Sequence, residues 1–329
     1  MKKKSSPKKQ AAKGHPKPEV QKAGRNTGLW VTLAVGALVL VLAYGFQQGE
    51  AGGSESVVES AFDGARAFRD LETVVGFGPR PAGSETIVRT RDYIVAELEA
   101  AGFEPELDEF VATTPTGPVN MVNIRAVKKG QKPGIIAVTG HYDTKLFDFP
   151  FVGANDGGSS TAILLEMARV ADGLRLEHTL EFIFFDGEEA VKDWTATDSV
   201  YGSRYDIDRR FDNGTLRQLK ALVLVDMVGD TDLRVLKETA STDWLKTIIW
   251  DVAQSQGYGR HFGAEEIAIE DDHIPYLNAG IPAVDIIDFD YPYWHTAADT
   301  LDKTSAESLK VIGDVVLGSL PAIDAYLNQ

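Results

Sequence analysis

The chain has 329 residues, 43% of them hydrophobic and 25% charged, with no cysteine. This excludes a mainly disordered or collagen-like chain, a polytopic membrane protein, a disulfide scaffold and any thiolate nucleophile or thiolate metal site. The formal net charge is −16, but nine of the 33 Lys and Arg and only one of the 49 acids fall in residues 1–28, so the remainder carries 24 bases against 48 acids and is expected to have no nucleic-acid partner.

In chain order, residues 1–28 form a basic arm, read as a disordered cytoplasmic segment because Pro7, Pro16 and Pro18 interrupt any helix. Residues 29–46 (LWVTLAVGALVLVLAYGF) hold no charge over 18 positions. As a helix this run would be about 27 Å long, close to the hydrocarbon thickness of a bilayer. The basic arm before it and Glu50 and Glu55 after it orient a single-pass anchor with the body on the extracytoplasmic side. A cleaved signal peptide, with secretion, is the alternative. Residues 47–55, with Gly49, Gly52 and Gly53, read as a linker, and 56–329 as one domain.

Within that domain, 56–75 has helical apolar spacing. Gly78, Pro79, Pro81 and Gly83 then force a loop, and 87–101 is again helical, closed by Gly102. Residues 110–127 read as two strands around Pro115 and Gly117. Near-continuous apolar runs at 134–139, 180–185, 221–225 and 283–287 alternate with helices at 159–171, 203–212 and 243–256, and a last helix spans 305–327. Buried strands alternating with helices imply an α/β fold: a mixed central β-sheet with helices on both faces. Such folds gather their working residues beyond the carboxyl ends of the central strands.

Those ends carry the chemistry. The first run leads into Gly140-His141-Tyr142-Asp143, the second into Asp186-Gly187-Glu188-Glu189, the third into Asp226, and the fourth is followed by Tyr293-Trp294-His295-Thr296. Gly153-Ala154-Asn155-Asp156-Gly157-Gly158 opens the helix between the first two. Singly, each is weak: Asp156 reads equally as a helix cap, and His141-x-Asp143 as a hydrogen-bonded pair. Together, two His and three carboxylates past apolar strands would be costly to desolvate unless they held a divalent ion, and an all-N/O donor set suits Zn²⁺ with an open position. Neighbouring Glu188 and Glu189 point in different directions, so one can bind metal while the other stands free as general acid/base. Asp143 is placed to orient the His141 ring.

The order His-x-Asp, Asp, Glu-Glu, Asp, His resembles the zinc-dependent aminopeptidases with co-catalytic metals, and more closely their relatives the animal-type glutaminyl cyclases. The resemblance rests on Gly140-His141-Tyr142-Asp143-Thr144-Lys145, Phe151-Val152-Gly153-Ala154-Asn155-Asp156, the run FFDGEEAVKDWTATDSVYGSR at 184–204, Asp271-Asp272-His273-Ile274-Pro275-Tyr276-Leu277 and Tyr293-Trp294-His295-Thr296, with Gly78-Pro79-Arg80 as an early loop. It implies a zinc-exopeptidase-like, phosphorylase/hydrolase-type fold. It implies one catalytic zinc on Asp156, Glu189 and His295, Glu188 as proton shuttle, Asp226 and Asp271 as a hydrogen-bonded acidic group near it, and Trp194 and Trp294 as walls for a glutamine side chain. The activity so implied is cyclisation of the N-terminal glutamine of peptides or proteins to pyroglutamate with release of ammonia. The aminopeptidase pattern reuses the same residues around two zincs: Asp156 bridges, and His141 and Asp226 complete the second site. The insert carrying Trp194 separates the cyclase pattern from plain aminopeptidases. The chain departs at Asp285, where the animal cyclases carry a His, and in lacking their cysteine pair.

Overall fold

The computed structural model describes residues 61–329, so the arm at 1–28, the apolar run at 29–46, the linker at 47–55 and the first residues of the domain lie outside the described residues. The first helix, α1 (Gly64–Gly76), begins later than its apolar spacing suggests. Asp63 is extended, and its carboxylate accepts the Arg66 amide, an N-cap that starts the helix there. Ser84 caps α2 (Glu85–Ala100) in the same way through the Ile87 amide. The antiparallel hairpin of β1 (Glu106–Thr114) and β2 (Gly117–Lys128) follows, then β3 (Ile135–His141), α3 (Gly158–Val170), β4 (Thr179–Phe185), α4 (Tyr201–Asp212) and β5 (Leu219–Asp226).

The sheet has six strands in the order β1-β2-β4-β3-β5, with the last strand, β8 (Ala283–Ile287), at the far edge. β2 meets β4 antiparallel, while β4, β3, β5 and β8 run parallel, so the sheet is mixed, as expected. Alternate residues of the central strands supply two cores. Ile136, Val138, Phe182, Phe184, Val223 and Val225 face α1, α2, α3, α5 (Asp243–Ser255) and α7 (Ala306–Leu327). Ile135, Ala137, Ile183, Phe185, Leu222 and Leu224 face α4 and the short α6 (His273–Asn278). With both faces covered, every strand residue from Ile135 to His141 is buried, which is why these runs read as continuous apolar stretches.

Two further strands, β6 (Val235–Glu238) and β7 (Phe262–Ile267), pair in parallel as a separate small sheet that the sequence pattern does not reveal. β6 has only four residues, and β7 alternates little because Ala264, Glu265 and Glu266 all face solvent. Among the described residues no helix is long and apolar enough to cross a membrane.

Candidate active site

The central parallel strands end on one edge of the sheet, and their final residues set the site. His141 is the last residue of β3 and Asp226 the last of β5; both are buried. Glu188 and Glu189 lie just past β4, and Asp156 immediately precedes Gly157, the residue before α3. Gly157 has φ +75, and a Cβ there would meet the Asp143 carbonyl oxygen at 2.5 Å, so only glycine lets this turn fold against β3. His295 (φ +53) and Met227 (φ +45) hold the left-handed backbone region that costs a side-chain-bearing residue strain, and both lie at the site.

Among the described residues two clusters of donor atoms form, each within 4.8 Å: Asp156, Glu189 and His295; and His141, Asp156 and Asp226. His295 Nε2 lies 3.1 Å from Glu189 Oε1 and 3.5 Å from Asp156 Oδ2. His141 Nε2 lies 3.1 Å from Asp226 Oδ1 and 3.3 Å from Asp156 Oδ1. Asp156 thus turns one oxygen to each cluster. Its Oδ2 and the Glu189 Oε2 are buried without any hydrogen-bond partner, an arrangement costly for carboxylates unless a cation sits against them; Lys145 Nζ, 3.7 Å from the Glu189 oxygen, supplies part of that charge, and Asp156 Oδ2 has no such lysine. An N/O donor set with orphaned carboxylate oxygens fits a divalent ion such as zinc.

Glu188 and Glu189 do diverge. Glu189 faces His295, with Lys145 Nζ at 3.7 Å from its other oxygen. Glu188 faces the pocket, with Oε2 3.9 Å from His141 Nδ1. Burial, reinforced by Asp271 and Glu189, pushes Glu188 well above the usual carboxylate range against the opposing pull of His141. Burial and Asp156 push Glu189 to about 6. For Asp156, hydrogen bonding to His141 and the charges of His295 and Arg80 outweigh burial and hold it low.

Asp143 does more than orient the imidazole. It lies 3.4 Å from His141 Nδ1 and also accepts the Glu188 amide at 3.1 Å and the Glu189 amide at 3.3 Å. Asp226 accepts the Met227 amide as well as facing His141. Asp271 is buried with Oδ2 unpartnered, and burial together with Asp285, Asp226 and Asp272 pushes it well above the usual range. Asp271 Oδ1 accepts the Asp272 amide, and among the described residues no hydrogen bond joins Asp271 to Asp226. Asp285 is fully buried, with Oδ2 3.6 Å from His273 Nδ1. His273 in turn faces Glu238.

Trp194 and Trp294 are 39% and 41% exposed, so neither is a core residue. They line one cavity of about 440 Å³ together with Glu188, Ile269 and Phe289. Trp294 stacks on the His295 ring at 4.1 Å, and Phe147 and Phe151 meet that ring edge-on at 5.3 and 5.9 Å.

Two supports escape sequence reasoning. Asp299 accepts the amides of Asn155 and Asp156 and the Tyr291 hydroxyl, fixing the turn that presents Asp156. Arg80 is fully buried and donates to the carbonyl oxygens of Tyr142, Val152, Gly153 and Asp156, tying together the loops on either side of the site. For Arg80 the only sequence signal is the Gly-Pro-Arg loop; for Asp299, a carboxylate four residues beyond His295, there is none.

Residues 123–320 match the family model described as Peptidase family M28. A mouse protein named glutaminyl-peptide cyclotransferase-like protein is 32% identical over 253 residues, 67% of this chain; the chain spans 66% of that relative's length. The solved structure of an Acidobacteriales bacterium glutaminyl cyclase is 36% identical with a TM-score of 0.77, covering 85% of this chain and 100% of that one. A structure described as a leucine aminopeptidase precursor from Bacteroides thetaiotaomicron is 28% identical with a TM-score of 0.72, covering 79% of this chain and 97% of that one.

Proposed function

The chain belongs to Peptidase family M28, and on that premise we propose that it cyclises the N-terminal glutamine of peptides or proteins to pyroglutamate, releasing ammonia. The observation that carries this reading is the divergence of Glu188 from Glu189: one carboxylate turns to the Asp156–His295 donor cluster, and the other faces a cavity walled by Trp194 and Trp294.

Asp156, Glu189 and His295 would hold one zinc ion. Bound there, zinc supplies Lewis acidity toward the γ-carbonyl oxygen of the substrate glutamine. The substrate α-ammonium first loses one proton to solvent, and Glu188 takes a second from the same nitrogen as it forms the new bond to the carbonyl carbon of the side-chain amide. As the old C–N bond breaks, Glu188 returns the proton to the departing ammonia. Its raised proton affinity suits both transfers. Asp226 and Asp271 line the same cavity as Glu188, while Trp194 and Trp294 exclude water that would otherwise hydrolyse the amide.

The second donor cluster, His141, Asp156 and Asp226, favours a second reading: an aminopeptidase with one or two metal ions, in which Glu188 would activate water. Incubating the purified protein with a Gln-initiated and a Leu-initiated peptide separates the two. Ammonia from the first supports cyclisation; free leucine from the second overturns it. We also read residues 29–46 as a single-pass anchor that contacts the bilayer, with 1–28 cytoplasmic, 47–55 a tether and 56–329 extracytoplasmic. The uncharged run after a basic arm supports this. Carbonate extraction of membranes tests it: release of a chain shortened at its N-terminus would instead indicate a cleaved signal peptide.

A further inference from the structure

The segment from Ala190 to Ser199 leaves the Glu188-Glu189 turn and returns to it, since the Val200 amide donates to the Glu188 carbonyl at 2.7 Å and the Tyr201 amide to the Gly187 carbonyl at 2.8 Å. It contains no helix or named strand, so something other than a regular ladder must fix its shape. Side chains supply it, and Asp198 makes four of the bonds. The Asp198 carboxylate, 3% exposed as a residue, accepts three consecutive amides, Val191 at 2.9 Å, Lys192 at 3.0 Å and Asp193 at 3.0 Å, and the Tyr201 hydroxyl at 2.7 Å. Trp194 is the next residue. Arg204 secures the other limb, donating to the carbonyls of Ala196 and Ser199 at 3.3 and 2.8 Å while lying over the Tyr201 ring. Charge-assisted bonds to a carboxylate are the stronger kind, and four on one residue fix a loop with few alternative conformations.

Resting on the cyclase reading above, we propose that Asp198 is a positioning residue that acts through Trp194: by gathering the three preceding amides it holds the indole against the cavity and so sets substrate affinity. Metal binding is independent of it, because the Glu189 amide is held by Asp143 instead.

The test compares Asp198→Ala, Asp198→Asn and Tyr201→Phe, alone and combined with Trp194→Ala, by steady-state kinetics on a Gln-initiated peptide, zinc content and Trp194 emission taken as the difference from Trp194→Phe. Asp198→Ala is expected to raise KM about tenfold, the equivalent of one good hydrogen bond, with kcat within about threefold. Zinc content stays unchanged and Trp194 emission shifts to the red. Asp198→Asn, which keeps one acceptor oxygen, and Tyr201→Phe, which keeps all three amide bonds, lie between. In the Trp194→Ala background Asp198→Ala adds nothing to KM, whereas a merely structural role would make the two effects add. Unchanged emission, or additive KM effects, overturns the proposal. Should Asp198→Ala not fold, Asp198→Asn carries the same two readouts. Absence of ammonia release by the unaltered protein would sink the cyclase reading alone, because the emission shift is read without substrate.

Discussion

The carboxylate of Asp143 accepts the backbone amide of Glu188 at 3.1 Å. With the Glu189 amide on its other oxygen and His141 Nδ1 at 3.4 Å, one buried aspartate sets the aim of three side chains at the site. Asp143→Ala should therefore weaken zinc binding by about 10–100-fold, the usual effect of removing a partner that orients metal ligands. Competition with a chromophoric chelator measures this, and an unaltered zinc affinity would assign Asp143 to packing alone.

Glu188→Gln keeps the shape of the side chain and removes its basicity. Turnover should fall by about 10²–10⁴-fold, the range of a positioned acid/base, with zinc content unchanged. Zinc loss in this variant would mean that the roles of Glu188 and Glu189 are exchanged.

The number of ions is open to direct measurement. With a single ion on Asp156, Glu189 and His295, His141→Asn retains its zinc by elemental analysis, while His295→Ala loses it. Stripping by chelator lowers the melting temperature, and added zinc restores it, because a ligand that binds only the folded state stabilises that state. Loss of one of two zinc equivalents in His141→Asn would place a second ion on His141, Asp156 and Asp226.

Arg80→Met would leave the carbonyls of Tyr142, Val152, Gly153 and Asp156 without this donor. A buried unsatisfied polar group costs about 1–3 kcal/mol. A large fall in melting temperature is expected, far beyond that of an exposed arginine such as Arg260. Burial also lowers the guanidinium to about 10 in spite of Asp143, Asp156 and Asp299, so this cation is retained for its bonds rather than for an ion pair. A melting temperature within a degree or two of the parent would refute this.

Acid stability should depend on Glu238. Burial alone would raise its proton affinity, but hydrogen bonds from His273, the Ala240 amide and Ser241 outweigh burial and hold it at about 2. A carboxylate with a depressed folded-state value contributes stability in full above its unfolded value of about 4.3, and that contribution is lost as pH falls from there through about 2. Denaturant unfolding of Glu238→Gln against the parent should give a stability gap that is widest near neutral pH and closes as pH falls toward 2. A gap that does not vary with pH would contradict the assignment.

How much of this was legible beforehand follows from the reach of each physical signal. Buried parallel strands are near-continuously apolar, so β3, β4, β5 and β8 stand out in the sequence, and the polar residues ending them stand out by contrast. That located His141, Glu188, Glu189 and Asp226. β6 and β7 are short and half-exposed, and left no such trace. Nor do Asp143, Asp198, Asp299 and Arg80 show their full roles in sequence, because each acts mainly on main-chain amides or carbonyls, which every residue possesses. The sequence by itself determined which strands are buried and which ionisable residues end them, since burial constrains residue type. Only the tertiary structure decided which of those residues face one another and what holds them there, because hydrogen bonds to the backbone place no demand on the identity of the residue that supplies it.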